Sequence, residues 1–387
     1  MQFSSNNKVT LLRGGAAFFP ALEQAIEQAK VAIYLQTYIY AADATGIRIG
    51  NALKKAALRG VSVNLLLDGF GSKDLTKDYI DELQQVGVKL MFYRPNISPW
   101  TLQKRRLIRM HRKVAVMDGF IGFVGGINII NDNHNHDQAS PRIDYAVKLE
   151  GAIVLEIQES VRKLWQRMSW IARFSGKLKP KLKPKLKQSL TEVKGNTKVA
   201  FVTRSNVLHR HDIEHAYLQA IHDAQTEIII ANAYFLPSKR FRKALLAAAK
   251  RGVQVKLLLQ GRKEYLFMFA TNALYRHFLH AGIQIYEYRK NYLHCKVAVV
   301  DCHWATVGSS NIDPLSLMLA NEANVVIEDQ QFANELRIEI EHTIHHAEAI
   351  TLTMWEKTSR LTQVFSWLIH GLVKVFLGFV VNQEDKD

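Results

Sequence analysis

His294-Cys-Lys-Val-Ala-Val-Val-Asp-Cys-His-Trp-Ala-Thr-Val-Gly-Ser-Ser-Asn311 is the stretch whose reading decides the fold. The run from Val297 to Val300 is apolar and mostly β-branched, which predicts a buried strand that reaches a turn at Asp301. Side chains two apart on a strand share a face, so His294 and Lys296 point into one space. An imidazole beside an ammonium, followed by a donor-rich Gly-Ser-Ser-Asn turn, suits a phosphate ester and asks for no metal. Alone, a strand histidine beside a lysine is usually a solvated edge. A second copy changes that reading: His111-Arg112-Lys113, again with four residues before Asp118 and six more before Gly125-Gly126-Ile127-Asn128.

The flanks repeat as well. The segment 61–69 is echoed position by position by 253–261, and 87–94 by 282–289. Helices expected at 19–30, 46–59 and 77–86 alternate with strands at 31–40, 61–67 and 88–93. The order recurs with helices at 216–224 and 239–251 and strands at 227–235 and 253–259. A repeat of this length signals a duplicated domain rather than a solenoid. The prediction is an α/β fold of two pseudo-symmetric halves, each a mixed or mostly parallel sheet flanked by helices. Each half supplies one His/Lys strand and one phosphate needs both, which puts a single site at their interface. Residues 1–174 form the first half and 196–358 the second. Downstream of each motif, Asp144-Tyr-Ala-Val-Lys-Leu-Glu150 matches Glu322-Ala-Asn-Val-Val-Ile-Glu328. The shared leading acid either orients a histidine or faces water at the start of a strand.

The chain of 387 residues carries a formal charge of +16, which predicts an anionic partner, nucleic acid or an acidic membrane surface. Charge alone does not choose between them. Cys295 and Cys302 are too few for a disulfide scaffold and fit a reducing compartment. The first residues lack the basic and apolar regions of a secretory signal, so no export by that route is expected. His211 and His215 have the spacing of a metal pair without an evident third ligand, and no metal site is expected. Between the halves, 175–195 is a Lys/Pro-rich linker whose lysines stay exposed and suit acidic headgroups. The tail, 359–387, holds an apolar run from Leu361 to Val381 that is long enough to span a bilayer. His370 and Lys374 lie in its middle, where a charge costs about 2.5 to 3.5 kcal/mol, so a helix lying in the interface is expected.

Two His-x-Lys-x4-Asp motifs followed by Gly-Gly-x-Asn and Gly-Ser-Ser-Asn resemble the phospholipase D superfamily over nearly the whole chain. Within it, the stretches His111 to Asn128 and Gly308 to Leu317 are most similar to bacterial cardiolipin synthases of the shorter type without N-terminal spans. The resemblance implies a phospholipase D-like fold and transfer of a phosphatidyl group between phospholipids, with phosphatidylglycerol as donor and acceptor. It makes His111, Lys113 and Asp118 with His294, Lys296 and Asp301 the catalytic motif residues. By that likeness His111 is the nucleophile, forming a phosphohistidine, and His294 the acid and then the base. Lys113, Lys296, Asn128 and Asn311 hold the phosphoryl oxygens, and Asp144 and Glu322 orient the histidines. The motif aspartates Asp118 and Asp301 are better regarded as holding the turns after the catalytic strands. No cofactor is implied. The expected partners are phospholipid substrates and an anionic membrane, with no nucleic acid, and the expected place is the cytoplasmic side of the cell membrane. A lipid hydrolase, a nuclease of the same superfamily and a catalytically idle membrane scaffold are the competing readings.

Overall fold

The computed structural model describes residues 1–95, 108–132, 141–174, 194–205, 209–262, 266–313 and 320–357, with Ser366, Leu368, Ile369, Gly371 and Leu372. Nearly all of the Lys/Pro-rich linker, and the tail apart from those five residues, lie outside the described residues.

The first half runs β1 (Ser4–Arg13), α1 (Gly14–Gln28), β2 (Ala32–Thr37), α2 (Ala44–Leu58), β3 (Ser62–Asp68), α3 (Lys77–Gln85), β4 (Lys89–Tyr93), β5 (Arg109–Met110), β6 (Lys113–Met117), β7 (Ile121–Gly125), β8 (Tyr145–Glu150) and α4 (Ile153–Phe174). The second repeats it with β9 (Thr197–Arg204), α5 (Asp212–Asp223), β10 (Glu227–Asn232), α6 (Lys239–Lys250), β11 (Gln254–Gln260), α7 (Leu266–His280), β12 (Gln284–Tyr288), β13 (Lys296–Val300), β14 (Trp304–Gly308), β15 (Ala320–Glu328) and α8 (Gln330–Ile344). It closes with β16 (Glu348–Ile350) and α9 (Leu352–Glu356). Local chemistry sets the bounds of several helices. Asp43 caps α2 by accepting from the Thr45 and Gly46 N–H groups, and Thr76 and Ser238 cap α3 and α6 in the same way. In α2 the buried positions Ile49, Ala52, Leu53 and Ala56 recur at helical spacing, and the chain leaves the helix at Gly60, with φ +89°.

From the centre outward, the sheet reads β1-β8-β7-β6-β2-β3-β4 on one side and β9-β15-β14-β13-β10-β11-β12-β16 on the other. Antiparallel pairing of β1 with β9 joins them into one path, so the two expected sheets are continuous. The expected parallel order holds for β2-β3-β4 and β10-β11-β12. The motif strands β6 and β13 instead run antiparallel to β2 and β10, and each continues through tight hairpins, which makes the sheet mixed. Asp118 and Gly119 both have positive φ, and the Phe120 N–H donates to the Met117 carbonyl, a tight turn within the three-residue loop between paired Met117 and Ile121. The second half closes the same turn with Asp301 and Cys302, each at φ +50°.

Three large apolar cores follow from this order. Two lie under the outer helices of each half, and the third is shared. The shared core combines Val114, Val124 and Val147 with Val297, Val307 and Val325, and Ile157 and Val161 of α4 with Leu336 and Ile340 of α8. Packing at interior density makes this contact stiff, so the two motif strands are held at a fixed separation.

Candidate active site

Each half reaches into the other at the motif entry. Strand β5 pairs in parallel with β15, and Ile143 makes the matching parallel bridge to Leu293. As a result, the His111 N–H donates to the Asn321 carbonyl at 2.9 Å and the His294 N–H donates to the Ile143 carbonyl at 2.8 Å. The next residue along each accepting strand is an acid. His111 Nδ1 lies 2.9 Å from Glu322 Oε1, and His294 Nδ1 lies 2.6 Å from Asp144 Oδ2. The pairs are therefore crossed, each histidine being held by the carboxylate of the opposite half. An ionised carboxylate only accepts, so Nδ1 carries the hydrogen in each ring and Nε2 keeps its lone pair.

The acids differ in their support. Glu322 also accepts the Ser309 hydroxyl, whereas Asp144 accepts the Tyr145 N–H at 2.9 Å. The position matching Ser309 is Gly126, where a Cβ would come 2.2 Å from Asp144 Oδ1. A bare glycine thus faces one acid, and a serine that binds its carboxylate faces the other. Lys113 Nζ donates to the His111 carbonyl at 2.6 Å, and Lys296 Nζ donates to the His294 carbonyl. Both lysines are buried. Asn128 and Asn311 are buried at the turns beyond the hairpins. Asn128 Oδ1 accepts the Ile39 N–H, which leaves its amide hydrogens as donors.

One neighbour was not anticipated. The Tyr38 ring meets His111 edge-on, with centroids 4.9 Å apart, and lies 5.4 Å from Lys113 Nζ. In the register of β2 against β10 its counterpart is Ala233, so nothing in the repeat marks it. It also gives the two histidines different surroundings.

The motif aspartates, grouped with the catalytic residues by the resemblance and regarded as turn-holding from the sequence, lie apart from this cluster. Asp118 and Asp301 stand five residues beyond the lysines along the strands, about 16 Å away. Asp118 accepts from the Lys30, Val31 and Ala32 N–H groups at 2.7 to 2.9 Å. Asp301 accepts from the Gln225, Thr226 and Glu227 N–H groups and the Thr226 hydroxyl. Each ties the hairpin turn to the loop entering β2 or β10.

Burial dominates the electrostatics. It pushes His111 below its ordinary value, against the pull of Glu322. Burial and then Lys296 take His294 down to about 3, against the pull of Asp144. Burial takes Lys113 down to about 7, with Lys296 adding to the shift and Glu322 opposing it, and Lys296 is lowered by burial as well. Asp144 moves the other way: burial raises its carboxyl, but the Lys296 charge and the hydrogen bonds from His294 and the Tyr145 N–H outweigh it and hold the group below the usual range. Both shifts favour the neutral imidazole near pH 7. An anion between the lysines would offset their field and let one imidazole take up a proton.

The comparisons with known proteins agree with this arrangement. The family described as "Cardiolipin synthase, PLD-like domain" matches residues 22–165 and 217–344, one segment for each motif. Cardiolipin synthase B of Shigella flexneri is 40% identical over 342 residues, which cover 86% of this chain and 79% of that protein. Cardiolipin synthase A of Pseudomonas putida is 30% identical over 363 residues, 93% of this chain and 73% of that one. The phosphatidylserine synthase of Haemophilus influenzae superposes with a TM-score of 0.67 over 98% of this chain and 94% of that one, and at 15% identity the likeness concerns the fold. With paired motifs, a duplicated sheet and one composite site, the chain belongs to the cardiolipin synthase family of phospholipase D-like proteins.

Proposed function

We propose that the protein is a phosphatidyltransferase that makes cardiolipin and glycerol from two molecules of phosphatidylglycerol through a phosphohistidine on His111. The observation that carries this reading is the crossed pair of histidine–carboxylate contacts, which sets two imidazoles in fixed tautomers at one site. His111 Nε2 attacks phosphorus, and the bond to the headgroup glycerol breaks as His294 gives that oxygen a proton. His294 then takes the proton of the acceptor's headgroup hydroxyl, whose oxygen attacks phosphorus and breaks the P–N bond to His111. Lys113, Lys296, Asn128 and Asn311 hold the non-bridging oxygens, which gain charge in both transition states. The relatives carry the name cardiolipin synthase, which favours a lipid acceptor over water or nucleic acid.

The same reading puts the protein on an anionic bilayer, peripherally and on the cytoplasmic side. Exposed Phe70, in the loop after β3, has Lys73 and Arg109 at 5.5 and 5.9 Å from its ring. At the matching positions of the second half the pair is exchanged, with Arg262 5.0 Å from the Tyr292 ring. Aromatic and cationic groups side by side suit the headgroup layer. Among the described residues no helix is long and apolar enough to cross a membrane. Incubation with phosphatidylglycerol vesicles tests the activity: cardiolipin with an equivalent of glycerol supports it, and phosphatidic acid as the sole lipid product refutes it in favour of hydrolysis.

A further inference from the structure

On the strand face turned away from His111 and Lys113 lies a cleft of about 820 Å³ between α4, α5 and β9. Its size is that of pockets that hold small ligands, about 300 to 1,000 Å³. Its described lining includes neither histidine of the crossed pairs nor either motif lysine, but it does include Arg112, Lys163, Arg167 and Arg204.

Arg112 is the informative member. It alternates with His111 and Lys113 and so leaves the strand on the opposite face. It is 5% exposed, and its guanidinium donates to Gln36 Oε1 at 2.6 Å, to Ser160 Oγ at 3.2 Å and to the Ser160 carbonyl at 3.4 Å. All three acceptors are neutral, and burial lowers the group to about 10. A buried cation balanced by dipoles alone is costly, and the fold does not demand one at this place. The matching position in the second half is Cys295, buried in the shared apolar core.

None of the carboxylates lining the cleft is a partner of the Arg112 guanidinium. Glu159 is held by Arg162 at 2.6 Å and Lys163 at 3.6 Å, and Asp212 by His209 at 2.7 Å. Glu156 is the remaining one, and burial raises its carboxyl toward the neutral form. The described lining thus sets four cationic side chains, Arg112, Lys163, Arg167 and Arg204, against three carboxylates.

We propose that this cleft is a second binding site, for a glycerol phosphate group, with Arg112 at its floor and Arg167 on its α4 wall. The guanidinium forks match the phosphate oxygens, and Glu156 suits a glycerol hydroxyl. Asn321 also lines the cleft, and its carbonyl accepts the His111 N–H. The site depends on the cleft alone, and its failure leaves the transfer reaction untouched.

Calorimetric titration of the full chain tests it, with sn-glycerol 1-phosphate in one arm and dihexanoylphosphatidylglycerol below its micellar concentration in the other. The expected record is two binding events. Lys113→Met removes one. Arg167→Ala and Arg112→Met each weaken the other by about tenfold or more, the loss expected for a charge-assisted contact. Arg167→Ala changes a helix surface, so it reports on binding even where Arg112→Met disturbs folding. Binding of the soluble phosphate to the arginine-dependent site assigns it to a free phosphate ester, and binding of the lipid alone assigns it to a headgroup with its chains. A single event, lost with Lys113→Met and unmoved by Arg167→Ala, overturns the proposal. An arginine-dependent event that persists where no lysine-dependent one exists upholds it and counts against the catalytic reading instead.

Discussion

Exchanging Glu322→Gln and Asp144→Asn separates the two chemical steps, because each acid serves the histidine of the opposite half. Both changes keep the size of the side chain and remove its charge. The Ser309 hydroxyl can turn to accept from an amide, so Glu322→Gln leaves the fold intact. A hydrogen bond to a charged partner contributes about 1.5 to 3 kcal/mol, and 1.36 kcal/mol is a factor of ten in rate, so the affected step slows by about 10- to 150-fold. Glu322 holds His111 at 2.9 Å, so Glu322→Gln slows attack on phosphorus. Asp144 holds His294 at 2.6 Å, so Asp144→Asn slows the activation of the acceptor. A nitrophenyl phosphatidyl ester makes the distinction visible, since nitrophenolate leaves without a proton. In stopped flow, Glu322→Gln should slow the burst of nitrophenol by that factor, while Asp144→Asn should keep a wild-type burst and slow the steady phase. The opposite pattern, or equal slowing of both phases in both variants, would refute the crossed assignment.

Three further outcomes follow from the geometry. Asp118→Ala and Asp301→Ala each strip an acceptor from three backbone N–H groups and should lower stability by about 2 to 4 kcal/mol in urea denaturation, with kcat per folded molecule unchanged; a lost kcat without lost stability would return them to the site. Lys113 titrates at about 7 in the fold against 10.5 as an ordinary lysine, so the unfolded chain binds more protons between these values and stability rises with pH across that window. Lys113→Met removes the penalty and should exceed the wild type by on the order of 3 to 5 kcal/mol at pH 7, with the gap shrinking by pH 9.5; an equal gap at both values contradicts the shift. Binding of a non-cleavable phosphonate analogue at pH 7 should take up protons, seen as a buffer-dependent heat, because the anion offsets the charges that help lower Lys113 and His294, and the part lost in His294→Ala belongs to the imidazole. A heat that is the same in all buffers contradicts that source of the leaving-group proton.

Much of this architecture is legible in the residues because the chain states it twice. The apolar strand after each lysine, the turn at Asp301 and the echo of 61–69 by 253–261 each fix an element and its place. The mixed direction of the sheet was harder to see, since alternation of helix and strand says nothing of the hairpins that follow the motifs. The central strand β9 follows the lysine-rich stretch, and its brief pairing with β1 joins segments nearly two hundred residues apart. The identity of the four histidine-holding and histidine residues was readable from matched segments. Their crossing was not, because it depends on parallel contacts between halves at β5 with β15 and Ile143 with Leu293. Tyr38 escaped for the converse reason: it breaks the repeat, and the repeat was the signal.

The central claim is a single composite site in which His111 carries the phosphatidyl group and His294 moves the protons. Rapid-quench mass spectrometry of His294→Ala after mixing with the nitrophenyl phosphatidyl ester tests it most directly, because without a base the intermediate has no route onward. The account predicts about one phosphatidyl increment per chain, localised to His111, and none in His111→Ala. An increment on His294 in the wild type, or a reactive wild type that never forms one, would contradict it.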